Sequence, residues 1–315
     1  MIDPVFFLAG GDHRLNLQMG GAMNIRLLKI VGIVWMALGL AAGAAAAGQH
    51  AAASSQKTGS LLVAFGTSAP EAQVSFDRIE AAVQRRYAGT PVRWAYTSHI
   101  IRKKLAARGR HLDSPATALA KMQDEGFTRV VVQSLHTIGG IEYHDLERTV
   151  TAFRSMGGFQ RIVLGDPLMS TQKDMRRIVD AVLEMIPPRR GADEAVVLMG
   201  HGTPDPANAF YAALMFQLQL KDPLIFVGTV EGYPRIDLLV DLMNRRKIKK
   251  AWLLPFMSVA GDHARNDMAG DGDDSWKNVL GRAGIQAVPV LKGTAEYDGF
   301  VKIWVDHIQD AVNRF

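Results

Sequence analysis

Apolar positions along the chain fall into two alternating kinds of run. Short runs rich in Val, Ile and Leu occupy residues 61–65, 92–96, 130–135, 161–164, 195–199, 224–227, 251–255 and 286–290. Between them lie stretches mixing apolar and polar residues: 71–87, 114–125, 142–156, 171–186, 208–217, 235–245, 275–282 and 297–312. The first kind reads as buried strands and the second as amphipathic helices. Strand and helix in regular alternation predict an α/β fold with doubly wound parallel sheets. Pro187-Pro188-Arg189-Arg190-Gly191 interrupts the alternation and reads as a linker.

The two sides of that linker resemble each other. LLVAFGTSAPEA matches VVLMGHGTPDPA with Gly66-Thr67 falling on Gly202-Thr203, WAYTSHIIRKKL aligns with VGTVEGYPRIDL, and VVQSLHTIGGIEYHDLE with WLLPFMSVAGDHARNDM. Three matched segments in one order predict a duplicated set of βα units. The expected organisation is two similar α/β domains, 48–186 and 194–315, joined by 187–193. They would face a central cleft bordered by the carboxyl ends of their strands, where α/β sheets bind ligands.

The N-terminus follows a different rule. Asn24-Ile25-Arg26-Leu27-Leu28-Lys29 is basic, IVGIVWMALGL is apolar, and AAGAAAAGQH supplies small residues. That order predicts a secretory signal peptide cleaved near Ala47, with an upstream extension, and a periplasmic mature protein. The apolar core is shorter than the roughly 20 residues that span a bilayer, so no stable membrane anchor is expected.

Composition narrows the chemistry. Cysteine is absent from the 315 residues, which excludes disulfides, thiolate metal sites and iron–sulfur clusters. Any metal must be held by His and carboxylate. The net charge is +5 and becomes +4 without residues 1–47, which hold three basic and two acidic side chains. Dense Lys/Arg blocks are missing, so the basic balance points to an acidic small molecule and not to nucleic acid. A homo-oligomer is compatible with the sequence.

The internal alignment shows where the halves differ. Phe65 stands where His201 stands, Ser98 where Glu231 stands, and Glu142 where His263 stands. Three strand ends of the second half therefore carry His201, Glu231 and His263. Each alone reads equally well as an ordinary turn or cap residue. Together they suit a divalent first-row metal with open positions for substrate, because adjacent parallel strands lie about 4.8 Å apart. Gly200 and Gly202 flank His201 and are expected to let a flat substrate approach the backbone. Arg102, within Arg102-Lys103-Lys104, and Arg265 are candidates for binding substrate carboxylates, with a solvated helix face as the alternative for the first. Glu142 reads as a proton acceptor or a helix N-cap neighbour, and His136 as a site or core residue.

GHGTPDPAN, TVEGYP and SVAGDHARNDMAGD, with AFGTS and QSLHTIGGIEYHDL in the first half, resemble the anaerobic-pathway cobaltochelatases of the CbiK type. These are class II chelatases, which need no ATP. The resemblance covers residues 60–315 and implies two similar α/β domains with a tetrapyrrole between them. It implies Co2+ insertion into sirohydrochlorin or a precorrin-2-type ring, with Fe2+ or Ni2+ as other metals of suitable chemistry. It places the metal ligands on His201, Glu231 and His263 and the catalytic residues on His201, His263 and Glu142. The export signal departs from a family associated with cytoplasmic biosynthesis. Three rival readings follow from the same residues: ferrochelatase-type activity with Fe2+, a metal-dependent hydrolase, or a periplasmic metal or haem carrier without turnover. For haem, His144 is the outward-facing candidate ligand, with His99 and His111 as further spare imidazoles.

Overall fold

The computed structural model describes residues 56–315, which form one compact unit. The expected signal peptide lies outside the described residues. No helix among them is long and apolar enough to cross a membrane.

All eight predicted strands form: β1 Thr58–Ala64, β2 Val92–Tyr96, β3 Arg129–Ser134, β4 Arg161–Gly165, β5 Ala195–Gly200, β6 Ile225–Thr229, β7 Lys250–Pro255 and β8 Gln286–Pro289. They make two four-stranded parallel sheets with orders β2-β1-β3-β4 and β6-β5-β7-β8. The identical order is the physical form of the internal repeat. Helices α1 Gln73–Arg86, α2 His99–Ala106, α3 Pro115–Asp124, α4 Ile141–Ser155 and α5 Gln172–Met185 belong to the first half. The second half has α6 Ala209–Gln219, α7 Ile236–Arg245, α8 Trp276–Arg282 and α9 Asp298–Val312.

The strands are apolar throughout because both sheet faces are covered. Along β1, Leu62 and Ala64 face one core while Leu61 and Val63 face another. Along β5, Val196 and Leu198 join the same central core, and Ala195, Val197 and Met199 face a third. The central core therefore runs through both halves. It takes Phe76 and Ile79 from α1, Ile178 and Val182 from α5, Leu214 and Leu218 from α6, and Ile303 and Trp304 from α9.

Helix α9 ends the second half in sequence, yet it packs on β3, β4 and α5 of the first. A cut at 187–193 thus separates the sheets but not the layers that cover them. His307 of α9 fixes this crossing. Its Nε2 lies 3.1 Å from Asp174 Oδ1 and its Nδ1 3.2 Å from the Asp166 carbonyl, in a nearly dry setting.

Two elements were not expected. Helix α2 follows β2 after a two-residue turn, where Ser98 accepts a hydrogen bond from the Ile101 amide at 3.3 Å. The segment that begins at His263 is a π-helical turn, His263–Met268. Such turns are rare and concentrate at functional sites.

Candidate metal centre and cleft

His201 follows the last residue of β5, and the backbone there is built from two glycines with different tasks. A Cβ on Gly200 would meet the Tyr211 ring at 2.3 Å. Gly202 has φ +86°, and a Cβ on it would meet the Gly232 amide nitrogen at 2.5 Å. Both glycines make room for the protein's own α6 and β6 loop; Gly202 also lines the cavity, as expected of a substrate-facing residue, and Gly200 does not.

The loop after β6 carries Glu231. The Glu231 amide donates to the His201 carbonyl at 2.8 Å, which locks the two loops in register. Asn208 completes the clamp. Its Oδ1 accepts from the Thr203 amide at 3.2 Å and its Nδ2 donates to the Tyr233 carbonyl at 2.6 Å. Sequence reading missed Asn208, and the only signal for it was its place opposite Ala72 in the internal repeat.

His263 begins the π-helical turn. There its Nδ1 lies 2.5 Å from Asp267 Oδ2, four residues on. An ionised carboxylate only accepts, so this Nδ1 carries the proton and Nε2 is left as a lone pair. His201 is oriented the same way by a backbone oxygen, with Nδ1 2.9 Å from the Gly202 carbonyl. Carboxylate or carbonyl behind an imidazole is the arrangement that orients metal-binding histidines and raises their basicity.

His201, Glu231 and His263 each present a ligand atom within 4.8 Å of the others. The imidazoles stand edge to face, 4.7 Å between centroids. His201 Nδ1 is 3.9 Å from Glu231 Oε2, beyond hydrogen-bond range. Two imidazoles and one carboxylate gathered this closely suit a divalent first-row metal.

Beside them lies a cavity of about 270 Å³, and Glu231 is not on its wall. His201 and His263 line it with Phe65, Lys104, His136, Glu142 and Asp262. Glu142 stands on the first turn of α4. The loops around the cavity interlock by a repeated contact. A Cβ on Gly140 would lie 3.3 Å from Thr203 Oγ1, and one on Gly261 would lie 3.3 Å from Thr67 Oγ1.

His136 lines the same cavity. Its Nδ1 is 2.9 Å from Ser134 Oγ, and burial, aided by the nearby His201, pushes its pKa down to about 4. A pKa this low favours the neutral ring near pH 7.

The two arginines go elsewhere. Arg102 donates to the Tyr96 carbonyl and, at 2.8 Å, to the Thr97 carbonyl, so it closes the end of β2 and is not on the cavity wall. Arg265 donates to the Ala260 carbonyl at 3.2 Å and lies 3.7 Å from Glu71, also off the wall. Neither of these candidates for substrate carboxylates lines the cavity; Lys104, from the same basic run as Arg102, does. His144 is half-exposed on α4, with Nδ1 3.4 Å from Glu147 and Nε2 3.8 Å from Asp205.

Comparison with known proteins bears on this arrangement. The chain is 44% identical over 257 residues to the sirohydrochlorin cobaltochelatase CbiKC of Nitratidesulfovibrio vulgaris, covering 82% of this chain and 91% of the relative. It is 38% identical over 257 residues to the sirohydrochlorin cobaltochelatase of Salmonella typhimurium, covering 80% and 96%. Among solved structures it resembles SirB from Bacillus subtilis with Fe3+, at TM-score 0.56 and 14% identity, covering 82% of this chain and 97% of that one, a likeness of fold. The profile of the cobalt chelatase (CbiK) family matches residues 58–313, and the chain belongs to that family.

Proposed function

We propose that the protein inserts Co2+ into sirohydrochlorin without ATP, holding the incoming ion on His201, Glu231 and His263. The observation that carries this is the convergence of the three donors within 4.8 Å, with His201 and His263 on the wall of a cavity that Glu142 also lines. Family membership and the names of both relatives support the substrate and the metal.

Insertion exchanges two pyrrole N–H protons for M2+. The site must therefore present a partly dehydrated ion on one side and a base on the other. Imidazole Nε2 atoms freed by the Gly202 carbonyl and Asp267 can ligate the ion. Three protein ligands leave positions open for ring nitrogens, so the metal can be passed on and not retained. Glu142 belongs to the opposite half and is assigned the protons. The low pKa of His136 favours its neutral ring near pH 7. The open, three-donor design does not itself select cobalt, and Fe2+ and Ni2+ are chemically admissible.

The test follows the absorption spectrum of metal-free sirohydrochlorin with Co2+, Fe2+ and Ni2+ in parallel, enzyme against no enzyme. Accelerated insertion with Co2+ fastest is expected. Binding without spectral conversion would turn the protein into a carrier, and haem reconstitution of wild type against His144→Ala would then assign that ligand. The basic–apolar–small order of residues 24–47 supports export, and the family match begins past it, at residue 58. N-terminal sequencing of secreted material checks cleavage near Ala47.

A further inference from the structure

The cavity wall carries two carboxylates, Glu142 and Asp262, and among the described residues a single Lys or Arg, Lys104. That balance is wrong for a ring with eight carboxylate arms. The cavity opens to solvent, so the carboxylate arms of a bound ring can lie along its rim. Lys104 lines the cavity, half-exposed on the last turn of α2. Ile100 lies four residues earlier, on the same helix face, lining the cavity and 56% exposed. Isoleucine followed one turn later by a cation matches the rim of a tetrapyrrole, where apolar ring edge alternates with carboxylate arm.

Lys104 is not idle in the free protein. Its Nζ reaches across the cleft to Asp262 Oδ2 at 2.9 Å, the other oxygen of which accepts from Ser68 at 3.4 Å. Asp262 directly precedes His263. Both partners keep much of their surface in solvent, so the bridge is weak and open to exchange with another carboxylate.

We propose that Lys104 is a specificity-determining residue that takes a peripheral carboxylate of the tetrapyrrole, and that Asp262 is its internal stand-in, displaced when the substrate enters. This rests on the chelatase reading given above.

A structural bridge and an exchangeable one behave oppositely on mutation. Lys104→Ala and Asp262→Asn break the same contact, so a merely structural role moves both in one direction. Exchange moves them apart. Lys104→Ala loses the anchor and raises KM for sirohydrochlorin by roughly 10-fold with kcat little changed. Lys104→Arg restores most of the loss. Asp262→Asn removes the internal competitor and lowers KM. Co2+ affinity of Lys104→Ala, read by titration, stays at the wild-type value. Fluorescence of metal-free sirohydrochlorin supplies an affinity without turnover. Wild type that neither binds nor converts the ring defeats the chelatase reading itself. Wild type that binds while Lys104→Ala binds equally well overturns the Lys104 assignment alone, as does a KM raised in both variants.

Discussion

The two halves of the molecule are built on one plan and do different work. Each sheet has the same strand order, and the backbone repeats down to single hydrogen bonds. The Ser98 amide donates to the Phe65 carbonyl at 3.2 Å, and the Glu231 amide donates to the His201 carbonyl at 2.8 Å. The side chains at those equivalent places diverge. Phe65 offers an aromatic ring that packs against His201 at 5.7 Å between centroids. Ser98 is consumed in capping α2. Glu142 opens a regular helix, whereas His263 opens a π-helical turn that brings Asp267 behind it. The scaffold supplies three converging strand ends twice. Only the second set brings together two imidazoles and a carboxylate that could hold a metal ion, and the first places Glu142 at the equivalent position. A symmetric pair of metal sites would hold the ion from both faces and leave no base between them and the ring.

The comparison can be broken most sharply at Glu142. Glu142→Gln keeps shape and removes the base, and should slow insertion by roughly 10²–10⁴-fold in a steady-state assay. Asp267→Asn acts on the other side. It loosens the orientation of His263 and should weaken Co2+ binding by about 10–100-fold in a direct titration, with the ring affinity unchanged. Gly66 and Gly202 occupy matching places, with φ +104° and +86°. Ala at either should lower stability by on the order of 1–3 kcal/mol in denaturant unfolding. Only Gly202→Ala should also disturb Co2+ affinity, because only that loop carries a ligand.

The smallest effect concerns His136, which faces Met257 in the repeat. Its folded pKa of about 4 lies below the unfolded value of about 6.5. The unfolded chain therefore binds the proton first, and stability from the neutral ring is present above about pH 6.5 and lost as pH falls toward 4. Metal-free wild type should lose stability over that window more steeply than His136→Gln, by denaturant titration at several pH values.

Sequence reading found all eight strands because each is a continuous apolar run between turn signals. It found His201, Glu231 and His263 because the repeat isolates them against Phe65, Ser98 and Glu142. It missed what depends on contacts far along the chain. Asn208 clamps two loops through backbone groups that no local pattern announces. Arg102 and Lys104 sit two residues apart, and only the direction of α2 decides that one closes β2 while the other reaches the cleft. The crossing of α9 onto the first sheet follows from tertiary packing and not from its own amphipathic pattern.

Calorimetric titration of Co2+ into wild type, His201→Ala, His263→Ala and Glu142→Gln tests most directly whether the second half alone holds the metal. The account predicts one site in wild type, an unchanged site in Glu142→Gln, and affinity lowered by at least about 100-fold in both histidine variants. Loss of Co2+ affinity in Glu142→Gln equal to that in the histidine variants would contradict it, by making the first half a ligand and leaving the protons without their acceptor.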